Sequence, residues 1–542
     1  MARCKPHKPK APKLVPVAVQ EVEVAALHGY LDKIERGEPL TSEELQALRA
    51  TIATTAYLTA EIKRKRVSLQ RLREWLFGAS TEKTATVCPP ANAEPDGDPA
   101  SPAPKADKPK RKGHGRNPAS CYRGAEQVKV AHPDLSAGDS CPECPKGKVY
   151  PVAEPAKLVR VVGMAPLSAK LVELERFRCN CCDEVFKAPP PDGTGTDRYD
   201  ETASSMIGSL RYGMGTPFYR LEKFQEGLGI PLPAGTQWKL VKRAAGLMEP
   251  AFDHLITWVA QSEVIHNDDT VMKVLDRPDL QRKGKARKGV YTSGIIGKQG
   301  QHRVALFLTG MNHSGENMAE VLRRRRQELA RPIQMCDALS ANTAGDLDTI
   351  VAHCMVHARR KFVEVADDFP EECRFLLECL KEVYIIEAAT HGLSPKERLD
   401  LHKERSAPVM DRVWAWIREL TDGKQVEPNS GLGDAIEYME KHWSRLTLFL
   451  REPGAPIDNN AAERILKRAI LHRKNSLFYK TLAGARVGDV FMSLIHSAEL
   501  NKVNPFDYLV ALQRYHVLVE ENPEEWMPWN YAATLEGLGL PG

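Results

Sequence analysis

The sequence contains no run of apolar residues that approaches the length of a membrane span. Its first residues, MARCKPHKPKAPKLVP, are positively charged, but the apolar stretch that a secretory signal needs does not follow them. Cysteine is scarce as well, with 12 residues in a chain of 542, which excludes a disulfide-stapled scaffold. We therefore expect a soluble, cytoplasmic protein with reduced thiols and no membrane partner.

A strong net charge is also absent, because 76 Lys and Arg residues face 71 Asp and Glu residues. The basic residues are concentrated in local clusters, which are KRKR at 63–66, KPKRK at 108–112, RKGKARK at 282–288, RRRR at 323–326 and RRK at 359–361. Such clusters suit contact with phosphate groups. Each cluster alone is equally compatible with a solvated helix face or loop, so composition permits nucleic-acid binding without demonstrating it.

The length predicts three or four folded units rather than one core. Residues 41–77 are predicted to form one helix that opens at Thr41 or Ser42, with Glu44 as a capping residue. Its leucines approximate a heptad seam interrupted by Thr and Arg, so a weak coiled coil and a helical hairpin are both allowed. Residues 87–120 are rich in Pro, Ala, Asp, Lys and Gly without periodicity, which is typical of a disordered linker.

Two pairs of cysteines have the spacing of a metal site. Cys141 and Cys144 form the first pair and Cys179 and Cys182 the second, with β-rich sequence between them. Thiolates two residues apart in a tight turn can occupy two corners of a tetrahedron, so the two pairs predict a zinc site. Cys181 is the alternative ligand in the second pair. Four thiolates leave no open position for catalysis, so we expect the zinc to be structural.

Residues 201–260 are predicted to form short helices broken at glycines and prolines. This pattern fits a helix-turn-helix DNA reader and a plain helical packing domain about equally. From residue 263 the pattern changes to three strands, a helix and a fourth strand, with Asp268 in the first strand and Asp337 at the end of the fourth. That is the element order of a ribonuclease-H-like core, in which strands one and four are neighbours. We therefore expect Asp268 and Asp337 to lie close together.

Glu463 is the candidate for a third carboxylate. Because Asn460 precedes it by three residues, the pair also resembles a capping box, which would use the carboxylate merely to hold a helix start. Between Asp337 and Glu463 lie 126 positions (463 minus 337), mostly amphipathic helix. An uninterrupted core would not need so many residues, so a helical insertion is predicted.

Several motifs then match one family. They are RLREWLFGASTEK at 71–83, the four-cysteine segment, YGMGTPFYRLEKF at 212–224, HNDDT at 266–270, CMVHARRKF at 354–362 and IDNNAAER at 457–464, continued by HRKNSLF at 472–478. On these residues the chain resembles the insertion-sequence-66 family of bacterial transposases over most of its length. HNDDT stands where the family usually has His-Ala-Asp-Glu-Thr, so its first catalytic aspartate corresponds to Asp268.

The resemblance implies a DNA transposase with Asp268, Asp337 and Glu463 as catalytic residues that hold two Mg²⁺ ions, with Mn²⁺ as an alternative. The chain departs from the family's Asp-Gly-Tyr at Asp337, which is followed by Ala-Leu-Ser; Asp346 and Asp348 are the fallback choices. The implied partners are double-stranded DNA at transposon ends and target, further copies of the chain on DNA, and small accessory proteins. A cleavage-only or catalytically silent DNA-binding protein is the alternative.

Seven basic residues are expected to contact DNA phosphates, namely Arg359, Arg360, Arg464, Lys467, Arg468, Arg473 and Lys474. Cys354 and His357 have a spacing that can supply two zinc ligands. The insertion offers no second pair with matching spacing, so we expect them instead on one face of a helix beside the active site. His357 would then support the site by hydrogen bonding to a phosphate or to the carboxylates.

The predicted fold class is multidomain α+β, a ribonuclease-H-like α/β catalytic core with a helical insertion, preceded by a zinc ribbon and helical N-terminal domains. The predicted units are a basic disordered tail (1–40), an N-terminal helix (41–85), a disordered linker (86–120), a zinc-binding ribbon (121–192), a helical, DNA-binding candidate domain (193–260), the first part of the core (261–345), a helical insertion (346–450), the second part of the core (451–515) and a C-terminal tail (516–542).

The four-cysteine prediction is tested by replacing Cys144 with Ser. The wild-type chain should hold about one zinc ion, and the variant should lose it and bind DNA less well, because metal binding supplies most of the folding energy of a small ribbon. Elemental analysis of the purified proteins measures the zinc. An unchanged zinc content in Cys144→Ser would rule the site out.

Overall fold

The computed structural model describes residues 24–52, 87, 120, 133–143, 146–150, 166–178, 185–191, 197–276, 281–282, 285–286, 289–343 and 348–541. The chain divides into two units, residues 1–91 and residues 92–542. Among the described helices, none combines the length and the apolar character needed to cross a bilayer. The larger unit is a mixed α/β structure, with one five-stranded mixed sheet and many helices.

In the first unit, helix α1 spans Val24–Glu35 and residues 42–52 are helical. The predicted helix start is confirmed, because the Thr41 N–H donates to the Glu44 carboxylate (2.9 Å) and the Glu44 N–H donates to the Thr41 hydroxyl (3.3 Å). The prediction of a disordered tail over residues 1–40 is wrong for α1, which is rich in good helix formers and ends before Gly37 at φ +72°. Residues 53–77 lie outside the described residues.

Antiparallel segments flank both cysteine pairs. Strands β1 (Arg176–Arg178) and β2 (Val185–Lys187) pair around the second one, and an isolated bridge joins Ser140 to Lys148 around the first. Cys141 is described and has a free, partly exposed thiol. The other three predicted ligands and Cys181 lie outside the described residues, so the zinc site stays a prediction.

The main sheet has the strand order β10–β9–β3–β7–β8. Strand β7 runs antiparallel to both β3 and β8, whereas β9 runs parallel to β3 and β10 runs parallel to β9. The predicted strands are therefore confirmed, and β7 and β8 form a hairpin whose turn contains Gly300 at φ +56°. The strands are β3 (Val264–Met272), β4 (Val274–Asp276), β5 (Gln281–Arg282), β6 (Lys285–Ala286), β7 (Val290–Gln299), β8 (His302–Gly310), β9 (Ile333–Cys336), β10 (Ile350–His353) and β11 (Tyr479–Thr481).

Helices precede, interrupt and follow this sheet. They are α2 (Glu201–Gly208), α3 (Phe218–Gly227), α4 (Ala234–Ala260), α5 (Ser314–Leu322), α6 (Met355–Val363), α7 (Pro370–Ala389), α8 (Pro395–Leu401), α9 (Ala407–Asp422), α10 (Gly431–Leu446), α11 (Asn460–Ser476), α12 (Leu482–Leu500), α13 (Pro505–Arg514), α14 (His516–Glu521) and α15 (Tyr531–Gly537). The buried residues of α4 and α12 belong to the same apolar core as the sheet strands.

Helix α12 covers the edge of the sheet with a row of polar side chains. Three side chains spaced four residues apart accept hydrogen bonds from backbone N–H groups of β8. Asp489 accepts from Thr309 (2.7 Å), Ser493 from Phe307 (2.9 Å) and Ser497 from Ala305 (3.1 Å). Four helical residues advance about 6 Å and two strand residues about 6.6 Å, so the two rows stay in step. The otherwise unpaired edge of β8 is satisfied without another strand.

Two further sequence predictions are wrong. Residues 350–353 were expected to be helical but form β10, because pairing with β9 outweighs the local helical periodicity, and helix begins only at Met355. Residues 516–542 were expected to be a tail but include α14 and α15, whose buried side chains pack into the apolar core. Burial of Val519, Trp526 and Leu535 gives this segment a reason to fold.

One glycine allows α11 to approach the sheet. Gly294 lies in β7 directly opposite Asp268 of β3. A Cβ atom at Gly294 would lie 2.9 Å from Leu466 Cδ2 and 3.2 Å from Ile465 Cδ1, both on α11. The missing side chain therefore sets the distance between α11 and the strand pair that carries Asp268.

Replacing Gly294 with Val should lower the free energy of unfolding by about 1–3 kcal/mol, because the added methyl groups overpack this contact. The matched control is Gly310→Val, in β8, where an added Cβ has nothing within 4 Å. Urea denaturation measures both. Equal losses in the two variants would show that the close approach of α11 is not the reason for the glycine.

Candidate active site

Three acidic residues reach one region from three separate elements. Asp268 lies in the middle of β3, and Asp337 directly follows the neighbouring strand β9. Glu463 lies in the first turn of α11, which packs across β3 and β7. The structure therefore brings together the three residues that the sequence selected, although they are spread over almost 200 positions.

The side-chain amide of Asn342 connects the two aspartates. Its Nδ2 donates to Asp337 Oδ1 at 2.5 Å and lies 3.4 Å from Asp268 Oδ1. Its Oδ1 accepts a hydrogen bond from the Ser314 hydroxyl, which fixes the orientation of the amide. Since one nitrogen reaches both carboxylates, Asp268 and Asp337 are close enough to share a cation.

The carboxylates repel one another. Burial is the main cause that raises the pKa of Asp268 to about 7, and the negative charges of Asp337, Asp269 and Glu463 raise it further. The Asp269 backbone N–H, which donates to Asp268 Oδ1 at 2.8 Å, acts in the opposite direction. A divalent cation among these oxygens would reverse the balance and favour the ionised forms.

Glu463 does not cap its helix. The N-cap of α11 is Asn459, and the Asn460 side chain bonds to Asp458 at 2.7 Å, so the capping-box interpretation is wrong. Among the described residues, the buried Glu463 Oε1 has no hydrogen-bond partner. Its neighbour is His357, whose Nε2 lies 3.9 Å away. The carboxylate is therefore available to a ligand.

Asn459 ties the start of α11 to the strand that carries Asp268. It is fully buried; its Nδ2 donates to the Asn267 carbonyl and its Oδ1 accepts from His266 Nδ1, both at 3.1 Å. Its backbone N–H donates to Cys354 Sγ at 3.2 Å. Burial lowers the pKa of His266 to about 4, which keeps this imidazole neutral. Asn459 thereby fixes where Glu463 stands relative to Asp268.

A second layer of buried polar groups supports Asn342. Asn267 Nδ2 and Gln334 Nε2 both donate to the Asn342 carbonyl at 2.9 Å, and Gln334 also donates to Asn267 Oδ1. Thr349 completes the chain by donating to Gln334 Oε1 at 2.9 Å. Satisfied buried networks of this kind make a site rigid. Sequence reasoning missed these amides, although Asn267 and Asn459 stand inside the motifs that it used.

Asp269, the second carboxylate of the HNDDT motif, has a separate role. Its Oδ2 bonds to His313 Nδ1 at 2.8 Å and accepts the Ser314 backbone N–H at 3.2 Å. It therefore holds the start of α5 and does not join the Asp268–Asp337 pair.

The predicted phosphate-contacting residues differ in their exposure and in their contacts within the protein. Arg464, Lys467 and Lys474 are exposed on α11. Arg468 forms an ion pair with Glu499 at 3.3 Å, and Arg473 donates to the Thr270 hydroxyl and the Val271 carbonyl. On α6, Arg359, Arg360 and the supporting residue His357 are partly buried, and both arginines have partners within the protein.

The basic cluster at 323–326 also serves the fold itself. Both Arg324 terminal nitrogens bond to the Asp253 carboxylate at 2.8 Å. Arg325 donates to the backbone carbonyls of Ala260 and Ser262. These two arginines join the end of α5 to α4, so both guanidinium groups already form contacts within the protein.

Comparison with known proteins gives one family and several relatives. The profile described as Transposase IS66 family matches residues 198–487, more than half of the chain. The uncharacterized protein y4jD of Sinorhizobium fredii (strain NBRC 101917 / NGR234) is 27% identical over 421 residues, which cover 73% of this chain and 78% of that protein. The uncharacterized protein y4hP of the same strain is 27% identical over 398 residues, which cover 68% and 69%.

The raised pKa of Asp268 predicts a pH-dependent stability in metal-free buffer. The unfolded pKa is about 3.9, so the native state binds the extra proton between about pH 4 and pH 7, and stability falls as the pH rises through this range. Asp268→Asn removes this titration. As the pH rises through this range, the free energy of unfolding of the variant should therefore increase relative to that of the wild type by up to about 1.4 kcal/mol per pH unit. Urea denaturation at several pH values measures the difference; a difference that does not change with pH would contradict the prediction.

Proposed function

The chain belongs to the IS66 family of transposases, and on this premise we propose that it is a DNA transposase that binds transposon ends, cleaves DNA strands with metal-activated water and joins the freed 3′ hydroxyl to target DNA. The observation that carries the proposal is the convergence of Asp268, Asp337 and Glu463 on one region. The sheet order, with β3 at the centre, β9 and β10 parallel to it, and β7 antiparallel to both β3 and β8, supports a ribonuclease-H-like core.

The residues present fit a divalent-metal site. Their donors are carboxylate oxygens, which suit Mg²⁺ and Mn²⁺. Two features call for a cation. Burial, and after it the charges of the neighbouring carboxylates, raise the pKa of Asp268. The buried Glu463 Oε1 has no hydrogen-bond partner among the described residues. When bound, two such ions supply an activated water and stabilisation of the departing 3′ oxygen.

The protein's own groups would position the reaction. Asp268, Asp337 and Glu463 would hold the ions, while Asn459 keeps the start of α11, and with it Glu463, in place. Water attacks the phosphorus, the bond to the 3′ oxygen breaks, and that oxygen leaves with a proton as a 3′ hydroxyl. In strand transfer this hydroxyl attacks a target phosphorus, and the target's own 3′ oxygen leaves.

The exposed basic residues of α11 are the best-supported DNA contacts. Arg464, Lys467 and Lys474 follow Glu463 on the same helix and would meet phosphates beside the cut. Arg359 and Arg360 extend this surface from α6. We assign recognition of the transposon end to the predicted zinc ribbon and to helices α2 to α4, with a homo-oligomer assembled on DNA and small accessory proteins as further partners.

Replacing Asp268, Asp337 or Glu463 with Ala should abolish strand cleavage, a loss of at least about a hundredfold, while binding to a transposon end survives, because each change removes a metal ligand. The matched control is Asp422→Ala, an exposed aspartate of α9 that pairs with Arg418 at 2.8 Å. Cleavage of a labelled end and a gel-shift assay measure the two activities. Full cleavage by Asp337→Ala would overturn that assignment and direct the search to Asp346 or Asp348.

A strand-transfer assay on labelled transposon ends separates the proposal from its alternatives. Joined product supports a transposase. Cut product without joining would indicate a nuclease, and retarded but intact DNA would indicate a catalytically silent DNA-binding protein.

A further inference from the structure

A second group of potential metal ligands lies beside the three acidic residues. One ligand atom from each of Cys354, His357 and Glu463 lies within 4.8 Å of the other two. Cys354 is fully buried between β10 and α6, and His357 follows one helical turn later. The insertion contains no matching second pair, but the third potential ligand arrives from α11, far away in the sequence.

Two of these side chains carry polar atoms that the protein leaves unsatisfied. Glu463 Oε1 and His357 Nδ1 are buried and have no hydrogen-bond partner among the described residues. A buried polar atom without a partner is unfavourable, because nothing compensates for its removal from water. The third, Cys354 Sγ, already accepts the Asn459 backbone N–H, which would stabilise a thiolate as well. The cluster therefore has a reason to bind something.

We propose that Cys354, His357 and Glu463 bind a divalent ion of the zinc class, with the fourth position open to water. Thiolate and imidazole ligands select Zn²⁺ over Mg²⁺, whereas the Asp268–Asp337 pair offers only hard oxygen donors. Three protein ligands and one position open to water are the arrangement of catalytic zinc sites, in contrast to a closed, structural four-cysteine site. Burial raises the pKa of the Cys354 thiol to about 11, so binding releases its proton to solvent.

The site has one ligand in common with the proposed catalytic centre. On the proposed function, Glu463 also serves the Mg²⁺ ions, so a zinc-class ion held by Cys354 and His357 competes for that carboxylate. The metal content of the protein can be measured without any cleavage assay. A failure of this inference is therefore distinguishable from a failure of the proposed function.

The test is Co²⁺ binding by the full-length protein, followed by its thiolate-to-cobalt absorption and by equilibrium dialysis. The variants are Cys354→Ser and His357→Gln, and the matched control is Cys379→Ser, a buried cysteine of α7 outside the cluster. We expect each of the two variants to bind about one Co²⁺ less per chain than the wild type, and the control to bind the same number. His357→Gln keeps the test valid if Cys354→Ser fails to fold.

Two outcomes would overturn the inference. In the first, the wild type and His357→Gln bind the same number of Co²⁺ ions. In the second, Cys379→Ser loses as much cobalt as Cys354→Ser, because the loss would then follow from removal of any buried thiol.

Discussion

The gathering of three partly or fully buried carboxylates in one region is the constraint on which the candidate site depends. Burial is the main cause that raises the pKa of Asp268 to about 7, and the charges of Asp337, Asp269 and Glu463 raise it further. Asn342 holds the two aspartates with one amide, and Asn459 anchors the helix that carries Glu463. The network of buried amides behind them restricts the movement of each carboxylate.

The sheet supplies the rigid frame. Its central strand β3 has a neighbour on each side, so Asp268 cannot shift without disturbing two pairings. Gly294 on β7 lets α11 come close enough to place Glu463 above the same face. On the far edge, the row Asp489, Ser493 and Ser497 fixes α12 to β8. Asp268 and Glu463 thus rest on a strand and a helix start, whereas Asp337 and Asn342 lie in the loop that follows β9 and are held there by the buried hydrogen bonds.

Much of the fold and of the candidate site could be predicted from the sequence, for identifiable reasons. A change to strand-forming sequence from residue 263 marked β3, β7 and β8, and an aspartate at a strand end marked Asp337. Strand β10 was missed because its pairing with β9 is non-local and its residues also fit a helical period. The choice between Asn459 and Asn460 at the start of α11, and the meeting of Glu463 with Cys354 and His357, depend on contacts between residues about 100 or more positions apart. No local pattern encodes such contacts.

The central claim is that the three carboxylates together bind divalent metal. Anomalous diffraction from crystals soaked in Mn²⁺ tests it most directly, because manganese can be located without reference to activity. The account predicts an anomalous peak within about 2.3 Å of oxygens from both Asp268 and Asp337, with the Asn342 amide displaced from between them and Glu463 turned towards the metal. Fully loaded crystals in which Asn342 still joins the two aspartates and no peak lies near them would contradict it.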